Sequence, residues 1–133
     1  MMKNFIFSAL LIFILGNLCS FGLPWWAIVP IAAVVVWLFP QTGLSAFLAG
    51  FLGGILLWGL HAFLLNSANE GVFSAKIGQI FQGLSSNNLL LTTALMGGVL
   101  AGLGALTGQW ANDLRANTEP KDYYTRRKKG RYK

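Results

Sequence analysis

The sequence predicts an all-α membrane protein: four transmembrane helices, with a short amphipathic helix in the loop between the third and the fourth. Three observations carry that reading. The chain has 133 residues, of which 55% are hydrophobic and only 11% charged, where a soluble domain typically carries about 25% charged residues. Residues 4–65 contain no Lys, Arg, Asp or Glu, so a soluble fold of this size could not hide that much apolar surface. Two uncharged runs, AFLAGFLGGILLWG from Ala46 to Gly59 and ALMGGVLAGLGALTG from Ala94 to Gly108, carry small residues four apart. That spacing lines one face of a helix and marks helices that pack closely within a bilayer. The natural partition is a transmembrane bundle over residues 1–111 and a basic tail over residues 112–133.

The first span is expected over residues 4–21, where the run FIFSALLIFILG follows the single basic residue Lys3. The same pattern suits a secretory signal peptide, with a small-x-small site at Ser20-Phe21-Gly22. A retained helix is the simpler reading, because every later span is also apolar and needs no exported domain. The only cysteine, Cys19, lies in this run and reads as a small buried hydrophobe. Phe21 to Pro24 form a turn.

The second span is expected over residues 25–39, with Trp25, Trp26 and Trp37 as interfacial anchors and Pro30 as the cause of a kink. It is short for a bilayer crossing, which takes about 20 residues. After the polar turn Pro40-Gln41-Thr42-Gly43, the third span covers residues 44–65, with His61 in its last turn and Asn66 just beyond. An ionisable residue near a span is a functional candidate by default. At a helix end close to water, His61 reads more readily as a solvated or helix-end side chain.

Residues 66–88 form the one sizeable loop, and Glu70 and Lys76 are its only charges. Within it, Ile77, Ile80, Phe81 and Leu84 recur at helical spacing, which predicts a short amphipathic helix with Ser74 as its N-cap. Such a helix lies flat on the membrane surface or over the bundle mouth. The fourth span is expected over residues 89–110, ending at the anchor Trp110.

Close backbone approach between the third and fourth spans is assigned to Ala46, Gly50, Gly53 and Gly54 on one side and Ala94, Gly98 and Gly102 on the other. Phe47, Phe51, Leu52, Leu56 and Leu57 are then expected to face lipid or the first two helices. The two spans are expected to pair within one chain, because a loop joins them.

Charge distribution predicts orientation. Lys3 and eight basic residues after Ala111 flank the bundle at its two termini, against Lys76 alone in the long loop. The positive-inside rule then puts both termini in the cytoplasm and the long loop outside, as four spans require. Within the tail, Arg126, Arg127, Lys128, Lys129 and Arg131 are expected to contact lipid headgroups, each basic residue near the surface contributing about 1 kcal/mol. Tyr123, Tyr124 and Tyr132 interleave with them, but nucleic acid is a disfavoured partner.

The spans carry no Asp or Glu, no Cys/His cluster and no GK[ST] loop, and the single histidine has no acid close in sequence. No catalytic residue, metal site or cofactor is therefore assigned. The runs FLAGFLGGILLWG and TALMGGVLAGLGALTG, together with the loop from Asn66 to Phe81, resemble small, uncharacterised four-span inner-membrane proteins of bacteria. That resemblance covers about half the chain and implies a fold type and a bacterial inner-membrane location, with no site residue carried over. The function expected from all this is a non-enzymatic accessory or scaffolding subunit, with membrane lipids and other membrane subunits, or a second copy of the chain, as partners. The alternative is a small oligomeric transporter or channel, with Pro30 and the glycines allowing movement and His61 near its mouth.

Overall fold

The computed structural model describes residues 2–118, and these are helical with no strand among them. In chain order they form α1 (Met2–Cys19), a 3-10 turn (Trp25–Ala27), α2 (Ile28–Leu38), α3 (Gly43–Ala68), α4 (Val72–Ile80) and α5 (Ser86–Thr118). Three of these, α1, α3 and α5, are long and apolar enough to cross a membrane, and Trp25–Leu38 is a shorter apolar helix. At 1.5 Å per residue, α3 and α5 extend about 39 and 50 Å, whereas α2 and its 3-10 turn together reach only about 22 Å.

Helix ends follow local chemistry. Ser85 caps α5, its hydroxyl accepting from the Asn88 N–H at 3.4 Å. At the other end α5 continues past Trp110, where the span was expected to stop, through ANDLRANT to Thr118. That segment contains no Gly or Pro to end it, and Arg115 sits favourably in the last turn. At the end of α3, Glu70 takes φ 49° and Gly71 φ 73°, and the Gly71 N–H donates to the Asn66 carbonyl at 2.9 Å. Gly71 therefore opens α4, and Ser74 is a buried position within that helix rather than its N-cap.

Pro30 also falls differently from the expectation. Because α2 starts at Ile28, Pro30 occupies its first turn, where an N–H has no intrahelical partner to lose. It shapes the entry to a helix and kinks none.

The four long elements run alternately up and down. Their order around the bundle is α1, α2, α5, α3, so α2 rests chiefly on α5, and α1 on α3. The consecutive helices α2 and α3 lie across the diagonal. Ile12, Ala32, Val36, Ala46, Ala49, Ala101 and Ala105 are fully buried at the centre. Both described termini lie at one end, held by a polar knot around the α2–α3 turn. There the Gln41 N–H donates to Gln109 Oε1 at 2.8 Å, and Gln109 Nε2 donates to Asp113 Oδ1 at 2.9 Å. Ser45 Oγ donates to Gln41 Oε1 at 2.7 Å, and Asn112 Nδ2 to the Trp37 carbonyl at 2.8 Å. The Arg115 guanidinium stands 5.6 Å from the centroid of the Trp37 ring.

Glycine placement explains how closely the helices approach. A Cβ on Gly50 would strike the Ala101 carbonyl, and one on Gly54 the Gly97 carbonyl. Ala46, Gly50 and Gly54 therefore meet the ridge of Gly97, Ala101 and Ala105. Gly53, one residue from Gly54 and so about 100° around the helix, faces α1 instead, with Ala9 O and Ile12 at 3.0 Å. Gly98 and Gly102 lie beneath Phe51 and Phe47, whose rings stack at 5.8 Å. These two half-buried phenylalanines thus rest on α5 and not on the first two helices. Leu57 is buried against Gly16 of α1, while Leu52 and Leu56 are exposed. Gly104 and Gly108 abut the carbonyls of Val29 and Ala33, so this second GxxxG seats α2. Ala94 is buried beside Gly59.

Candidate functional site

A cavity lies at the end of the bundle opposite the described termini. Its cause is the short second element. Trp25, at the start of the 3-10 turn, reaches the level of Trp58, their rings 6.3 Å apart and edge to face, and Trp58 in turn sits against Gly97. Beyond that level α3 continues to Ala68 and α5 reaches back to Ser86, with nothing of α2 beside them. The uncovered space is a cavity of about 540 Å³, partly roofed by Phe73, Ser74 and Ile77 of α4. Its wall is mainly apolar, and none of the described residues lining it is Lys, Arg, Asp or Glu.

His61 and Asn66 both line this cavity. His61 Nδ1 lies 2.9 Å from the Leu57 carbonyl oxygen. A carbonyl only accepts, so Nδ1 donates in this contact. Asn66 Oδ1 is buried and has no hydrogen-bond partner. An unsatisfied buried acceptor of this kind is costly and is normally paired. Ser20 Oγ and Thr93 Oγ1, also at the wall, donate to the backbone carbonyls of Gly16 and Leu89, and Cys19 is a free thiol on the same wall.

α4 presents an unexpected face to this region. Ser74 and Gly78 are its buried positions, because Gly78 lies against the Leu84 carbonyl of the following turn. The large apolar side chains Val72, Phe73 and Ile80, and Phe81 just beyond the helix, are exposed. The side that packs inward is thus the small one.

The packing residues Ala46, Gly50, Gly53, Gly54, Ala94, Gly98 and Gly102 lie in helix contacts and do not line the cavity. Arg126, Arg127, Lys128, Lys129 and Arg131 lie outside the described residues. Sequence reasoning missed the knot of Gln41, Gln109 and Asp113. Its signal was the single glutamine interrupting the apolar run before Trp110. No group of three or more metal-ligating side chains occurs among the described residues. No protein-family model, curated protein or solved structure matches the chain.

Proposed function

We propose that this chain is a four-span integral membrane protein of the bacterial inner membrane, with both termini cytoplasmic. It works as a non-enzymatic accessory or scaffolding subunit whose outward end, α4 and the cavity beneath it, is the working surface. The observation that carries this reading is the exposed apolar face of α4, Val72, Phe73, Ile80 and Phe81, beside helices whose glycines are already engaged within the chain. Close contact with a neighbour therefore falls to α4. The 3-10 turn and α2 form the second span, their deficit in length absorbed by local thinning of the bilayer. The absence of any carboxylate from residues 4–65 supports a non-catalytic role.

The fully buried apolar side chains Ile12 and Val36 fill the middle of the bundle, which weighs against a path through a single copy; the transporter reading would need a path between copies. The test is purification in mild detergent with identification of co-purifying membrane subunits, repeated with Phe73→Ser, Ile80→Ser and Phe81→Ser combined. Stoichiometric partners lost in the triple variant support the reading. A defined homo-oligomer without other subunits overturns it.

A further inference from the structure

We propose that the groove between α2 and α5, which ends at Arg115, is a binding site for an anionic phospholipid, its phosphate on the guanidinium and the start of one acyl chain in the groove. The site rests on the membrane reading above but not on the accessory role, since it lies toward the end of the bundle that holds the described termini, away from α4.

The groove follows from a difference in reach. α2 ends at Leu38, whereas α5 continues to Thr118. Ala33, Val34 and Trp37 form one wall and Thr107, Gly108 and Ala111 the other, around a space of about 290 Å³. Gly108 abuts the Ala33 carbonyl, so the two backbones are in contact there. The hydroxyl of Thr107 already donates to the Leu103 carbonyl at 2.9 Å, and none of the described lining residues is charged. At roughly 30 Å³ per group, the space takes on the order of ten methylenes of one chain.

Charge selects the head group. Thr107, Ala111 and Arg115 are four residues apart and share one face of α5, so Arg115 stands one turn, about 6 Å, beyond the groove. Its guanidinium lies over the Trp37 ring, 5.6 Å from the centroid, and Trp37 is itself held by Asn112 Nδ2 donating to its carbonyl at 2.8 Å. A guanidinium stacked on an indole keeps its N–H edge for a bidentate phosphate. Asp113 does not face it: two residues earlier, it lies about 200° around the helix and accepts from Gln109 Nε2. A permanent cation at the end of an uncharged apolar groove fits an amphiphile with an anionic head, and basic pockets between membrane helices are a general mode of anionic-lipid recognition.

Full-length protein in dodecyl maltoside is titrated with phosphatidylglycerol or phosphatidylcholine, and bound lipids are counted by native mass spectrometry. One phosphatidylglycerol is expected to bind at least about tenfold more tightly than phosphatidylcholine, and Arg115→Gln to abolish that preference. Ala111 is exposed, so Ala111→Phe fills the groove from outside the core and is expected to weaken phosphatidylglycerol binding to a similar degree; should it fail to fold, Arg115→Gln decides alone. Arg127→Gln, in the basic tail, is expected to leave the preference intact. No preference in the native protein, a preference that survives Arg115→Gln, unchanged binding in folded Ala111→Phe, or equal loss in Arg127→Gln overturns the proposal, the last placing the lipid on the tail. A dimer that binds no lipid and is split by Ala111→Phe also overturns it and assigns the groove to a second copy. Alkaline carbonate extraction of native membranes, which leaves integral proteins in the pellet, tests the membrane reading separately.

Discussion

At Gly54, a single hydrogen stands where any side chain would drive α3 off the Gly97 carbonyl and the Ala101 methyl. In a bilayer, helices gain little from hiding apolar area, and short backbone distances supply the dispersion that holds them. Gly54→Ala is therefore expected to cost at least the 1–3 kcal/mol typical of overpacking, read as a lower thermal midpoint in detergent. Gly59 is a built-in control. A Cβ there meets Ala94 Cβ at 3.4 Å, an ordinary contact, so Gly59→Ala should be neutral or should stabilise by up to about 1 kcal/mol through helix propensity. Gln109→Leu removes the acceptor of the buried Gln41 N–H and should cost about 1–3 kcal/mol in the same measurement. The four-residue spacing of small residues was legible in the sequence. Which ridge meets which helix was not, because Gly53 and Gly54 are adjacent in sequence yet serve different neighbours, and both neighbours demand the same small residue.

Among the elements, α2 and α4 differ most from what their patterns suggested. Pro30 promised a kink but lies in a first turn. Pro30→Ala should therefore shift stability by less than about 1 kcal/mol, measured by thermal unfolding; a large gain in stability would mean that the proline strains the helix after all. In α4, the spacing of apolar residues announced a helix, yet the helix ends at Ile80, before Phe81 and Leu84. Gly78 decides the orientation: it lies against Leu84, and that leaves Val72, Ile80 and Phe81 exposed while Phe73 and Ile77 border the cavity. Hydropathy reports that a helix has an apolar side and is silent on which side its neighbours can accommodate. His61 and Asn66 were expected in and just beyond the last turn of the third span, but α3 continues to Ala68, so Asn66 lies within its last turn and His61 seven residues before its end; the change from apolar to polar sequence marks the region and not the helix end. The cavity beside them was not legible, as it depends on how far α2 reaches along α3.

For the molecule as a whole, the proposed four-span arrangement predicts that alkaline phosphatase fused after Ala111 is inactive and that a fusion after Gly71 is active. The reverse pattern would mean either an inverted orientation or a second element that does not cross, and activity at both sites would mean that α5 does not cross. The fold class was legible because composition alone dictates it: a chain with no charge over residues 4–65 has few environments open to it. The arrangement of helices was not legible, since neither hydropathy nor loop length reveals that α2 and α3, joined by a four-residue turn, would sit on the diagonal.

That diagonal has a consequence for synthesis. α2 and α3 each find their main support in α5, which leaves the ribosome after both. Until it arrives, the earlier helices rest chiefly on the contacts of α1 with each of them, and the small residues of α3 lie open to whatever else the membrane offers. The chain thus cannot finish folding segment by segment. It must hold three loosely associated helices in waiting, and a ribosome stalled before Ser86 would leave a product that insertion machinery has to shelter or proteases remove.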